Sequence, residues 1–153
     1  MDIASISALV ASIGVIIGVI LTVVELRNLV KQRQTDLVMR LHARFGTREF
    51  IDAWENTLTR EFDDYRKYVA EHGMSDVAIV GSFFEGIGLL LHRKLIDIDL
   101  VAELFRESSK MTWERARSIV RGQREQYNEP RWGEWWEYLY NELQKREQTL
   151  AQP

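Results

Sequence analysis

The chain has three histidines, His42, His72 and His92, and no cysteine among its 153 residues. A metal site carried on a helix needs ligand pairs such as His-x-x-x-His or Glu-x-x-His, and neither occurs. Without cysteine there is no thiolate nucleophile, thiolate zinc site or disulfide. No glycine-rich phosphate loop, Gly-x-Ser-x-Gly elbow or dinucleotide fingerprint is present. Two carboxylate pairs could hold a cation: Asp63 and Asp64, which read as helical, and Asp97 and Asp99, which flank a turn. Capping and solvated charge account for both. Arg115, Arg117, Arg121 and Arg124 make a basic stripe of the kind that takes phosphate. From residue 27 onward, however, 20 basic groups meet 21 acidic ones, so no basic excess drives nucleic-acid binding, and ion pairing is the plainer reading. The expectation is a chain that is not an enzyme, with no catalytic residue, metal, cofactor or nucleic-acid partner.

The segregation of residue types is strongest at the amino terminus. Ile3 to Val24 is 22 residues with no ionisable side chain, in a protein that is 28% charged. At about 1.5 Å per residue such a helix reaches about 33 Å, enough for a hydrocarbon core of about 30 Å, and a transmembrane helix is expected. Placed at about 100° per residue, large aliphatics such as Ile6, Val10, Ile13, Ile17, Ile20 and Val24 take one side. Every small or hydroxyl residue of the span falls on the other. Lipid tails give no reason to sort side chains by size, whereas touching helices need small residues to let their backbones approach. Helix–helix contact is therefore expected through Ser7, Gly14 and Leu21 at one edge of this arc and Ser5, Ser12 and Val19 at the other, about 140° apart. The plainer reading is that Gly14-Val-Ile-Ile-Gly18 arises by chance and that the hydroxyls bond back to their own helix.

An arc this wide suits a helix with two neighbours, as in a ring around a lumen. The middle of the arc, Ala4, Ala8, Ala11, Val15, Gly18 and Thr22, would face the axis, with Glu25 at the mouth and Gln32 and Asp36 lining a polar vestibule. Charge sets the orientation. Residues 1–26 contain Asp2 and Glu25 but no Lys or Arg, whereas residues 27–48 carry Arg27, Lys31, Arg33, Arg40, Arg44 and Arg48 against Asp36 alone. The positive-inside rule puts the amino terminus outside and the remainder in the cytoplasm. The missing basic n-region and Ala-x-Ala exit favour an uncleaved anchor over a signal peptide. Membrane lipid is thus an expected partner, and the basic residues near the surface would gain about 1 kcal/mol each from anionic headgroups.

No Pro or Gly falls between Gly18 and Gly46, so the helix is expected to run on, with Val30, Leu37, Val38, Leu41 and Phe45 turned toward later helices. Thr47 caps a second helix carrying Phe50, Ile51, Trp54 and Leu58. A run through Phe62, Tyr65 and Tyr68 ends at His72-Gly73. Ser75 is read as the cap of a central apolar helix, Asp76 to Arg93, whose Gly81, Gly86 and Gly88 suggest close approach by a neighbour. Asp97 caps a short helix through Phe105, Ser108 or Ser109 begins another, and Pro130 opens the last. There Trp132, Trp135, Trp136, Leu139 and Leu143 form a docking stripe.

Trp54, Tyr65, Tyr68, the Gly73 turn, Phe84-Glu85-Gly86-Ile87-Gly88, Ile96-Asp97-Ile98-Asp99-Leu100, Trp113 and Arg117 together resemble an uncharacterised family of small prokaryotic membrane proteins, a domain of unknown function. The resemblance covers roughly residues 20–145. It implies one amino-terminal span and a cytosolic helical domain, and it brings no activity with it.

The expected fold is all-α, a single amino-terminal transmembrane helix continuing into a cytosolic helical bundle. The span takes 1–26, a juxtamembrane helix 27–46, the helical domain 47–148 and a tail 149–153. The leading functional expectation is a homo-oligomer in the cell membrane, arranged as a ring-shaped cation-conducting pore. The alternative is a membrane-anchored interaction or regulatory module with a self-associating anchor, its cytosolic partner unknown.

Overall fold

The computed structural model describes the backbone of residues 2–62 and 64–151, and side chains over the same ranges apart from residues 4–10. The described residues form six helices and no strand: α1 (Ile3–Phe45), α2 (Arg48–Thr59), α3 (Tyr65–His72), α4 (Ser75–His92), α5 (Ile98–Tyr127) and α6 (Glu134–Ala151). The fold is all-α, with a long apolar amino-terminal helix preceding a helical domain. Two compact units result, residues 1–36 and 37–153.

In the first unit, the absence of Pro and Gly after Gly18 lets α1 continue unbroken past the apolar stretch. Residues 11–32 are all exposed, and Thr22 donates its hydroxyl to the Gly18 carbonyl at 2.8 Å. That bond satisfies the only polar side chain between Leu21 and Val24 within its own helix.

The second unit is built around α4. Val80, Phe84 and Ile87 have no exposed surface, and α4 packs against α2 and α6. This helix is also long and apolar enough to cross a membrane, but its Val80, Phe83, Phe84, Ile87 and Leu91 are buried in the domain core. Phe50 and Phe83 approach with ring centroids 4.7 Å apart, and Phe84 stacks on Trp136 at 5.6 Å. The last turns of α1 join this core: Val38 is fully buried, and Leu41 and Phe45 pack against it. Val30 and Leu37, expected on the same inward face, are instead 55% and 37% exposed. A smaller cluster of Tyr68, Val77 and Ile119 seats α3.

The helix ends follow from local chemistry. Thr47 caps α2, Asp64 caps α3 by accepting from the amides of Arg66 and Lys67, and Asp97 caps α5 by accepting from Asp99 at 2.7 Å. Gly73, at φ +70°, ends α3. Four expected boundaries differ. Asp64 stands before α3 rather than inside a helix, and Asp63 lies outside the described residues. Ser75 is the first residue of α4, whose cap position, Met74, makes no side-chain bond. No break occurs at Ser108 or Ser109, because Ser108 donates to the Phe105 carbonyl and Thr112 to the Ser108 carbonyl, keeping their hydroxyls inside one 30-residue helix. Pro130 lies in the turns before α6, and Gly133, at φ +71°, immediately precedes the helix.

Close helix packing falls where Gly permits it. A Cβ on Gly88 would overlap the Trp135 carbonyl, and one on Gly122 would lie 2.5 Å from the Tyr65 Cβ. A Cβ on Gly81 would stand at ordinary contact distance from the Trp136 ring, whereas one on Gly86 would meet nothing within 4 Å.

Candidate functional site

The first candidate surface is the small-residue face of α1. Ala11, Ser12, Gly14, Val15, Gly18, Val19, Leu21, Thr22, Glu25, Gln32 and Asp36 are all exposed on this one helix. Ala4, Ser5, Ser7 and Ala8 belong to the same helix, but their side chains lie outside the described residues. Gly14 and Gly18 have open space where a Cβ would stand. The face is thus a strip of bare backbone flanked by Val15, Val19 and Leu21, of the shape that lets a second helix approach closely. Thr22 is tied to its own helix, as the plainer reading of the hydroxyls has it.

The other residues singled out by type have local partners. His42 packs on Phe105 with centroids 6.0 Å apart, His72 on Tyr68 at 5.1 Å and His92 on Trp135 at 4.5 Å, so each histidine meets a different aromatic ring. Asp99 pairs with Arg146 at 2.6 Å while Asp97 caps its helix. In the arginine stripe, Arg124 donates to Glu137 at 2.8 Å and to the Trp132 carbonyl at 2.7 Å. Among the described residues Arg115, Arg117 and Arg121 make no ion pair, so ion pairing accounts for one arginine of the four.

A second candidate is a cleft in the helical domain that residue types did not single out. It has a volume of about 370 Å³ and lies between α4, the later part of α5 and the turn before α6. Its walls are Val77, Val120, Trp132 and Trp136, and its polar groups are Ser82, Glu85 and Gln123. Glu85 is half-buried, and its Oε2 accepts the backbone N–H of Trp136 at 2.8 Å. This amide is one of the first-turn donors of α6 that no carbonyl of its own helix can reach, so Glu85 acts as a cap supplied by another helix. Burial pushes the Glu85 carboxyl above the ordinary carboxylate range, helped by the charge of Glu134 and opposed by the amides of Trp136, Trp135 and Gly133. Trp132 is 44% exposed, and its ring is held by stacking on Tyr127 at 5.6 Å.

One signal in the sequence does point here. Glu85 is the only charged residue between Val77 and Leu91, and a lone carboxylate on an apolar core helix needs a partner.

A family model described as a domain of unknown function, DUF4760, matches residues 8–143. No curated protein and no solved structure matches the chain.

Proposed function

We propose, for a chain that belongs to the DUF4760 domain-of-unknown-function family, that α1 is a single membrane span and that copies of the protein associate through its small-residue face. The amino terminus lies outside the cell and the helical domain in the cytoplasm, as the six basic residues against one acid in residues 27–48 support. Membrane lipid and further copies of the chain are its partners. The reading gives it no catalysis and no nucleic-acid partner.

The observation that carries this reading is the sorting of the span by size. Gly14 and Gly18 present open backbone on one side, while Ile13, Ile16, Ile17 and Ile20 stand exposed on the other. A helix surrounded by lipid alone gains nothing from that separation. The test is the mass of the detergent-solubilised complex. Gly14→Leu and Gly18→Leu should lower it, and Ile13→Leu and Ile16→Leu should leave it unchanged. Equal masses for all four variants would refute association through this face.

A second reading, a ring that conducts cations, is favoured by one specific feature. Glu25, Gln32 and Asp36 continue the small-residue face beyond the apolar stretch, and all three are exposed. Rings of carboxylates at a pore mouth select for cations.

A further inference from the structure

We propose that the cleft between α4, α5 and the turn before α6 binds a small organic cation, an ammonium group on an apolar body, with Glu85 as its counter-ion. The volume, about 370 Å³, lies within the range of small-molecule sites, and so does the composition, apolar walls with a few convergent polar groups.

The sign of the ligand follows from what lines the cleft. Among the described residues that line it, Glu85 is the only ionisable side chain, with no Lys, Arg or His. Two of the cations beside the lining residues in sequence are committed elsewhere. Arg124 is held by Glu137 and the Trp132 carbonyl, and Arg131 is clamped on Glu134 through both of its carboxylate oxygens. An anion would therefore meet one carboxylate and find no countercharge among the described residues that line the cleft. The helix amides that could have drawn it are already facing Glu85. A calcium ion is equally ill served, since one carboxylate, Ser82 and Gln123 fall well short of the roughly six to eight oxygens it takes.

An ammonium group fits what remains. A carboxylate has about four acceptor positions, and the amides of Trp136, Trp135 and Gly133 leave one of them for a further donor. The exposed Trp132 ring adds aromatic surface that favours a cation over a neutral group of the same shape, whereas Trp136 is buried and stacked on Phe84. Val77 and Val120 would cover the apolar body.

The probe is 2-phenylethylammonium, added to the full chain in detergent and read by the tryptophan fluorescence, to which Trp132 of the cleft contributes, with uncharged 2-phenylethanol as comparator. The expected result is a saturable change with the ammonium compound and binding of the alcohol weaker by about tenfold or more, as a charge-assisted hydrogen bond implies. Glu85→Gln, whose amide oxygen can still accept from Trp136, should erase the difference between the two probes. Ala78→Phe, at an exposed position on the cleft wall, should abolish the response with the helical circular dichroism unchanged. Equal affinity for the alcohol, a preference that survives in Glu85→Gln, a response that survives in Ala78→Phe, or no saturable response at all would each overturn the proposal.

Discussion

Glu85 on α4 and Trp136 on α6 are 51 residues apart in sequence and joined by a 2.8 Å hydrogen bond from the Trp136 amide to the Glu85 carboxylate. The bond fixes the start of α6 against the helix at the centre of the core, and the stacking of Phe84 on Trp136 lies one residue away. The electrostatics and the packing of this junction therefore depend on the same two elements.

Removing the acceptor should expose the cost of that junction. Glu85→Ala leaves a part-buried amide without its partner and is expected to cost about 1–3 kcal/mol, whereas Glu85→Gln keeps an acceptor and should cost less. The pH dependence has a definite sign. Because burial raises the folded carboxyl above its unfolded value, the group's contribution to stability is full below the unfolded pKa and falls as pH rises through the folded one. Denaturation of the wild type and Glu85→Gln across this acidic range should show the wild type losing stability relative to the variant as pH increases. A relative gain would mean that the amide bonds outweigh burial.

Two glycines on α4 should respond to the same substitution in opposite directions. Gly88→Ala drives a Cβ into the Trp135 backbone carbonyl, and separating α4 from α6 to accommodate it should cost about 1–3 kcal/mol. Gly86→Ala meets nothing within 4 Å and should stabilise the helix by up to about 1 kcal/mol through propensity alone. Thermal unfolding of the two variants beside the wild type checks the contrast, and a drop of equal size in both would contradict the packing described.

The topology is open to labelling in intact cells. Asp2→Cys and Thr149→Cys introduce thiols into a chain that has none, both at exposed positions. A membrane-impermeant reagent should reach the first from outside and the second only after permeabilisation. Labelling of both from the same side would rule out the proposed single span and orientation.

How much of this was legible in the sequence depended on range. The long apolar amino-terminal helix and its run through Phe45 were legible because an apolar stretch followed by a segment without Pro or Gly is a local signal. The caps Thr47 and Asp97 are equally local, whereas Asp64, in a run that reads as helical, stands as the cap of α3. Ser108 and Ser109 misled because a hydroxyl that favours a helix start can also bond back within a helix, as Ser108 does. Pro130 misled because the same ring that suits a first helical turn also suits the turns that precede one. The cleft was hidden for a different reason. Its charge lies on α4 and its aromatic wall on the turn and helix some 50 residues later, and the Phe84-Glu85-Gly86 run shows its apolar side more readily than its lone carboxylate.

The last prediction concerns Glu25. If copies form a ring with the small-residue arc inward, Ala11, Val15, Gly18 and Thr22 line an apolar lumen, and Glu25 sets a circle of carboxylates at its cytoplasmic mouth. An apolar constriction around Val15 would hold water out until the helices move apart, and the carboxylates would concentrate cations and repel anions. The competing role for Glu25 is that of an interfacial side chain that pairs with Arg27 or Lys31 of a neighbouring copy and conducts nothing. Purified protein in liposomes separates the two. Under the pore reading, wild-type oligomers carry cation flux, and Glu25→Gln reduces it or removes its preference over anions while the oligomer mass stays the same. Under the anchor reading, neither protein carries flux at any voltage or pH, and Glu25→Gln changes only the strength of association. Flux that is equal in wild type and Glu25→Gln, with selectivity intact, would remove Glu25 from the lumen and with it the orientation of the arc.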